Sequence, residues 1–487
     1  MFQYIFKNEN KYVNRIDQFF DSNYYIFLVA IFTLFSEVFA LEIPLYYFYV
    51  LFCLGIPFLF CKDMRALLPP LFFGYVSVSL KTNHYEAGKN LFNETTWPHF
   101  IFLISMIAVL LTSRLIVDNI ARKNTRFPRL FIGYLLFMLI FPLSGIFSPY
   151  YAPRESLYGF LVGASYFIPF VAAYYAVDFR PLRKDYFAYL LLAFGFCLSA
   201  QVLVIYFQHM KDIFSGNFYN GLIRTGWGVK NNIGGMLAVA LPGPIYLATK
   251  RKNYPLYIFF NLFFYTVVAM TESRGSLLAA SIVELVMFIY FIILEKKKRI
   301  PVVICLLFFI GTAIAFLFTI NHFYPSVLSY IVSTLKNLTF DGLSSGRVEL
   351  WKIGIKNFIT EPFLGSGYFN VPHDLNCGYL SPTFFPFRMH NTYIQLLSST
   401  GIVGLLVYLY HRFESCLLIF RRISEEKIFL FFFFMCYLGC SAIDCHFFNL
   451  GPALLYAIMS ALTEGNDIQM AIEERKRYLT QVSDYLK

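Results

Sequence analysis

The 487-residue chain is 58% hydrophobic and 20% aromatic, with only 14% charged residues. Soluble domains carry about 25% charged residues, so this composition excludes a soluble globular protein. The formal net charge of +11 would suit a nucleic-acid partner, but an excess of Lys and Arg in the cytoplasmic loops of a membrane protein gives the same total.

The first twenty residues, MFQYIFKNENKYVNRIDQFF, are mixed and charged, and no small-residue cleavage site follows; no cleavable signal peptide is expected. Apolar runs then recur along the chain. They predict spans at 24–40, 43–60, 66–80, 100–118, 130–147, 157–177, 186–207, 232–248, 254–270, 275–294, 301–320, 391–410, 428–443 and 449–463. Each is suited to crossing about 30 Å of hydrocarbon as a helix, and the strand alternation of membrane barrels is absent. The expected fold is an all-α polytopic membrane protein with about 12–14 transmembrane helices. Its expected parts are a cytoplasmic segment 1–23, a bundle over 24–320, a large exterior loop 321–390, final spans over 391–463 and a charged cytoplasmic tail helix over 464–487.

Charge sets the orientation. With the N-terminus inside, cytoplasmic segments hold 27 Lys and Arg and exterior segments 12, although the longest loop is exterior. Clusters such as TKRKN (249–253) and EKKKR (295–299) all fall inside, as the positive-inside rule requires. The basic balance therefore reads as orientation and leaves no nucleic-acid signal. Most of the nine cysteines lie in apolar spans, where a thiol packs as a small hydrophobe. Cys377 and Cys445 fall in exterior segments; a bridge between them is open, but no disulfide framework is implied.

Four exterior segments place arginine at or near a predicted helix start: Arg224 in GLIRTGWGVKNNIGG, Arg274 in TESRGSLLAA, Arg347 in SSGRVELWKIGIKNF, and Arg388 before His390 and Asn391 in FPFRMHNTYIQLL. A cation at a helix N-terminus opposes the dipole, at a cost of up to about 1 kcal/mol. Recurring on one face, the pattern suggests an anion, since free N–H groups at helix starts bind phosphate and arginine adds a planar bidentate donor. Two or three such starts could hold a diphosphate if the loops converge. The plain alternative stands beside this: a single exterior arginine is more often an interfacial snorkeller than a ligand. Trp227 reads as a membrane-interface residue, and seven of the eight histidines lie near the exterior face, so the side His390 occupies says little. Glu284, in mid-span, is costly there and is either functional or held by an internal partner. No ligand spacing argues for a metal.

TESRGSLLAA, SSGRVELWKIGIKNFITEPFLGSGYF and HNTYIQLLSSTGIVGLL resemble the signature blocks of the O-antigen ligase and polymerase family, in the same order and on the same face. RTGWGVKNNIGG resembles the family's upstream block, with Arg224 and Gly235 at an R-x10-G spacing. The resemblance covers about residues 220 to 410. It implies a glycosyltransferase at the periplasmic face of the bacterial inner membrane, needing no metal, nucleotide or other cofactor. The implied donor is a glycan on undecaprenyl diphosphate; the acceptor is lipid A–core or a growing glycan. Carried over by motif, Arg274 and Arg347 would grip the diphosphate and His390 would be the catalytic base. Arg224 is assigned to the same diphosphate, with Asn391, Arg388 and Glu284 as supporting residues. Histidine suits base chemistry at neutral pH, and Arg388 is expected to disfavour the charged imidazole. A polymerase would share donor and chemistry. A flippase or transporter would instead carry ionisable groups near midplane, where this chain has almost none beyond Glu284.

Overall fold

The computed structural model describes residues 11–39, 41–61, 63–74, 127–149, 151, 153–215, 223–225, 228–323, 347–368 and 389–485, with isolated positions between 105 and 113. The protein is an all-α polytopic membrane protein. Among the described residues, seven helices are long and apolar enough to cross a membrane, or eight if the bent pair Asn14–Phe20 and Asn23–Ser36 (59°) is one span. Predicted span 100–118 and the second half of 66–80 lie mostly outside the described residues.

The helices used below are α1 (Pro153–Ala176), α2 (Tyr186–Gln208), α3 (Lys230–Ala240), α4 (Pro242–Lys250), α5 (Tyr254–Met270), α6 (Arg274–Leu294), α7 (Arg347–Thr360), α8 (Thr392–Arg421), α9 (Glu425–Ile443) and α10 (Leu450–Tyr485). A two-residue hairpin, β1 (Arg224–Thr225) with β2 (Gly228–Val229), leads into α3. Sequence and packing explain which helices are central. In α6, Leu278, Ile282, Leu285, Ile289 and Ile293 form an exposed apolar stripe, while Ala280, Val283, Met287 and Phe291 are buried. That stripe is a lipid-facing surface. The span Lys230–Lys250 is instead buried over residues 232–249, because glycine and alanine let neighbours close on every side. It breaks at Pro242, and Asn261 of α5 donates Nδ2 to the Leu241 carbonyl there (3.1 Å).

Two predicted boundaries move. The tail helix is not separate: α10 runs unbroken from Leu450 to Tyr485. Helix α8 extends to Arg421 and is interrupted at Gly401, whose φ of 62° is left-handed. The break lets the main chain of 362–363 bond into it, Ile402 and Val403 donating to the Pro362 and Phe363 carbonyls at 2.8 and 3.2 Å. A Cβ at 401 would lie 2.2 Å from the Phe363 carbonyl oxygen, so only glycine fits.

Candidate active site

The C-terminal end of α9 is the hub on which several helix starts converge. Its last carbonyls need partners, and three side chains from elsewhere supply them. Asn391 Nδ2 donates to the Ala442 carbonyl (2.9 Å), Arg347 Nη1 to Ile443 (2.7 Å), and Thr392 Oγ1 to Asp444 (3.2 Å). The start of α7 and the start of α8 are thereby tied to one turn. Helix α6 meets it as well: a Cβ at Gly275 would lie 2.2 Å from Ile443 Cγ2.

His390 sits on this turn. Its Nδ1 is 3.1 Å from Asp444 Oδ1, with 37% of the histidine side chain exposed and 7% of the aspartate. Burial pushes the Asp444 carboxyl up, but the hydrogen bond and charge of His390, with His446 and Arg347, outweigh it and hold the group well below the usual carboxylate range. A carboxylate can only accept, so Nδ1 carries the hydrogen and Nε2 keeps its lone pair when the ring is neutral. The Cys445 amide also donates to Oδ1 (2.7 Å), which fixes the carboxylate in turn.

Local sequence explains the aim of the histidine. Asn391 is the N-cap of α8, its Oδ1 accepting from the Tyr393 and Ile394 amides at 2.9 and 3.1 Å. Met389 is pinned by its amide donating to Gln395 Oε1 (2.8 Å). Between the two, His390 takes a left-handed φ of 48°, a strain of about 1 to 2 kcal/mol. Among the described residues the other non-glycine with positive φ is Glu272 (55°), two residues before Arg274. Strain of this kind gathers at functional sites, and both examples belong to this cluster.

The cations form the adjoining part. Lys230, at the start of α3, is within electrostatic reach of Glu272, Arg274 and Arg347. The starts of α3 and α6 are stitched together by Ser276 Oγ donating to the Asn231 carbonyl (3.2 Å). Gly234 allows the approach, since a Cβ there would lie 2.6 Å from Thr271 Oγ1 and 3.0 Å from Ser273 Cβ. The hydroxyl of Ser273, the N-cap of α6, turns to Ser276 Oγ (2.8 Å) and makes no cap bond. Cations crowded at helix starts suit a multiply charged anion.

The structure thus brings together Arg274, Arg347, His390 and Asn391. The main chain of Arg224 pairs with Val229, next to Lys230. Arg388 lies outside the described residues, as does Cys377; Cys445 is buried, its thiol 3.6 Å from Gln395 Oε1. Glu284 is not part of the cluster. It is buried ten residues along α6 from Arg274, about 15 Å away. At the start of α8, Asn391 Oδ1 accepts from two of the free amides, so they are not open to an anion. Three residues were missed. Lys230 stood in the quoted RTGWGVKNNIGG block, Glu272 in TESRG, and Asp444 was an acid in SAIDCHFF at the end of an apolar span.

Residues 259–409 match the O-Antigen ligase family model. The family resemblance of the sequence blocks is borne out over that stretch, which contains Arg274, Arg347, His390 and Asn391. Lys230 and Asp444 lie outside it. No curated protein matches the chain. The O-antigen ligase match supports a ligase- or polymerase-type function on lipid-linked glycans, in a bacterial integral membrane protein.

Proposed function

We propose that this protein is an O-antigen ligase-type glycosyltransferase of the bacterial inner membrane, working at the periplasmic face. It moves a glycan from undecaprenyl diphosphate onto an acceptor sugar, lipid A–core. The observation that carries the reading is the His390–Asp444 pair set beside the cations Lys230, Arg274 and Arg347.

The two halves divide the chemistry. Arg274, Arg347, Lys230 and Arg224 bind the donor diphosphate. His390 accepts the proton of the acceptor hydroxyl at Nε2, while Asp444 orients the ring and stabilises the imidazolium that forms. The acceptor oxygen bonds to the anomeric carbon as its bond to the diphosphate oxygen breaks, and the electron pair leaves with undecaprenyl diphosphate. The cations meet the charge that develops there, which stabilises the transition state more than the bound substrate. Asn391 has a structural share in this: it caps α8 and ties His390 to the Asp444 turn.

Deleting the gene in its host and running the surface glycans on a gel tests the assignment. Long glycan left on the lipid carrier, with bare core at the surface, is the expected result. Core bearing a single repeat unit would make the chain a polymerase using the same donor. Unchanged length and attachment would remove both readings.

A further inference from the structure

Gly235, which the sequence places at a fixed spacing from Arg224, has no part in the chemistry above. In the structure it faces a second histidine. A Cβ built at 235 would lie 2.7 Å from His446 Nε2 and 3.0 Å from Cε1, so a methyl group there forces the ring to move.

That ring has little room. His446 is fully buried and opens the short 3-10 turn His446–Phe448, two residues after Asp444. The turn is pinned from below. Tyr166 Oη donates to the Phe447 carbonyl (2.8 Å) and Tyr368 Oη to the Phe448 carbonyl (3.0 Å). The Phe447 ring lies 4.9 Å from both Tyr166 and Tyr408 and 5.0 Å from Phe137. On the other side, Cys440 Cβ is 3.3 Å from the same built position. Displacing His446 therefore strains the turn that carries Asp444. Gly234 and Gly235 together explain why α3 needs two consecutive glycines: the first closes on the Arg274 turn, the second on the Asp444 turn. Helix α3 is the spacer between the cation half and the base half.

We propose that His446 is a positioning residue for the transfer reaction: its buried ring, seated in the space Gly235 leaves, braces the Asp444 turn so that Asp444 keeps its hold on His390 Nδ1. The inference rests on the reading of His390 as the base.

The test uses the purified full chain in detergent, with lipid-linked glycan as donor and core oligosaccharide as acceptor. G235A, H446A, the double variant, H446Q and H390A are compared for kcat and for donor KM. G235A and H446A are each expected to lower kcat about tenfold or more, because small misplacements of a catalytic group cost that much. Donor KM is expected to change by less than kcat, since Lys230 and Arg274 stay in place and of the three cations only Arg347 is bonded to the strained turn. The double variant is expected to be no worse than H446A, because the methyl group then has no ring to displace. H446Q, similar in length and polar, recovers most of the rate. If H446A does not purify as a folded protein, G235A and H446Q carry the same comparison. Multiplied losses in the double variant, a loss confined to donor KM, or full kcat in H446A beside an inactive H390A would each overturn the inference alone. Full transfer by H390A would remove the base reading itself.

Discussion

Two histidines, one just before helix α8 and one within it, stand next to or near an arginine in the sequence, and their surroundings differ in the respects that matter for chemistry. His390, just before the helix, is part exposed, has a left-handed backbone and meets the Asp444 carboxylate. His411 is fully buried, edge-on to Tyr134 at 4.6 Å and 4.9 Å from Phe137, with Nε2 3.3 Å from Tyr456 Oη. Arg412 beside it is held by aromatic faces, 4.5 Å from the Tyr408 centroid and 4.6 Å from Tyr456, and its Nη1 donates to Tyr456 Oη. Arg347 instead reaches the polar end of α9. The same residue types thus serve packing at one end of the helix and, on the proposed reading, catalysis at the other. What separates them is access, a carboxylate partner and backbone strain, none of which residue type reveals.

Exchanging the two sites breaks the comparison most sharply. His390→Ala is expected to cut transfer by about 10²- to 10⁴-fold, the usual range for a general base, with little change in thermal midpoint. His411→Ala should leave transfer near the natural rate but destabilise the fold by about 3 kcal/mol, as large-to-small core changes do. Thermal unfolding and transfer, measured on the same preparations, separate these outcomes. Asp444→Asn comes next: it keeps the shape and loses the charge that sets the tautomer, so a loss of about 10²-fold or more in kcat is expected, with donor binding retained.

The cations sharpen the contrast further. Arg274→Ala should raise donor KM by roughly 10- to 100-fold, the worth of a hydrogen bond to a charged group. Arg274→Lys should recover only part of this, because a point charge replaces a bidentate fork. Lys230→Ala is expected to have a smaller effect, up to about tenfold on donor KM, in keeping with a flexible single charge. Gly133→Ala is the mildest for activity. Its Cβ would meet His411 Nδ1 at 2.5 Å, so stability should fall by about 1 to 3 kcal/mol from overpacking while transfer is unchanged.

Much of this architecture was legible in the sequence because membrane solvent imposes simple rules. Apolar length located the helices α2, α5, α6 and α9 to within a few residues, and the helix starts at Arg274 and Arg347 were read from their own short motifs. The chain does not announce where a helix fails to stop. Gly465–Asn466, a usual stop signal, stands at the junction of span and tail, yet α10 runs through it and joins the two in one helix. The break at Gly401 was hidden inside an apolar run, because it is satisfied by carbonyls from 362 and 363 rather than by local sequence. Asp444 was invisible as a partner of His390 for a similar reason. The two are 54 residues apart, and only the return of α9 to the start of α8 joins them. Arg388, which the sequence places two residues before the imidazole, lies outside the described residues; the structure adds an anion, Asp444, against the ring, and that partner decides how the ring is held. The sequence marks Gly235 by its spacing from Arg224 but not what it touches, and the different neighbours of Gly234 and Gly235 emerge only from packing.

The central claim is that His390 acts in the chemical step and not in holding the donor. The direct measurement is a donor titration and a single-turnover transfer assay on one purified preparation of His390→Ala, run beside the unaltered chain. The account expects lipid-linked donor to bind within about twofold of normal, with single-turnover transfer down by about 10²-fold or more. Transfer at the normal single-turnover rate, or a loss of donor binding as large as the loss of transfer, would contradict it.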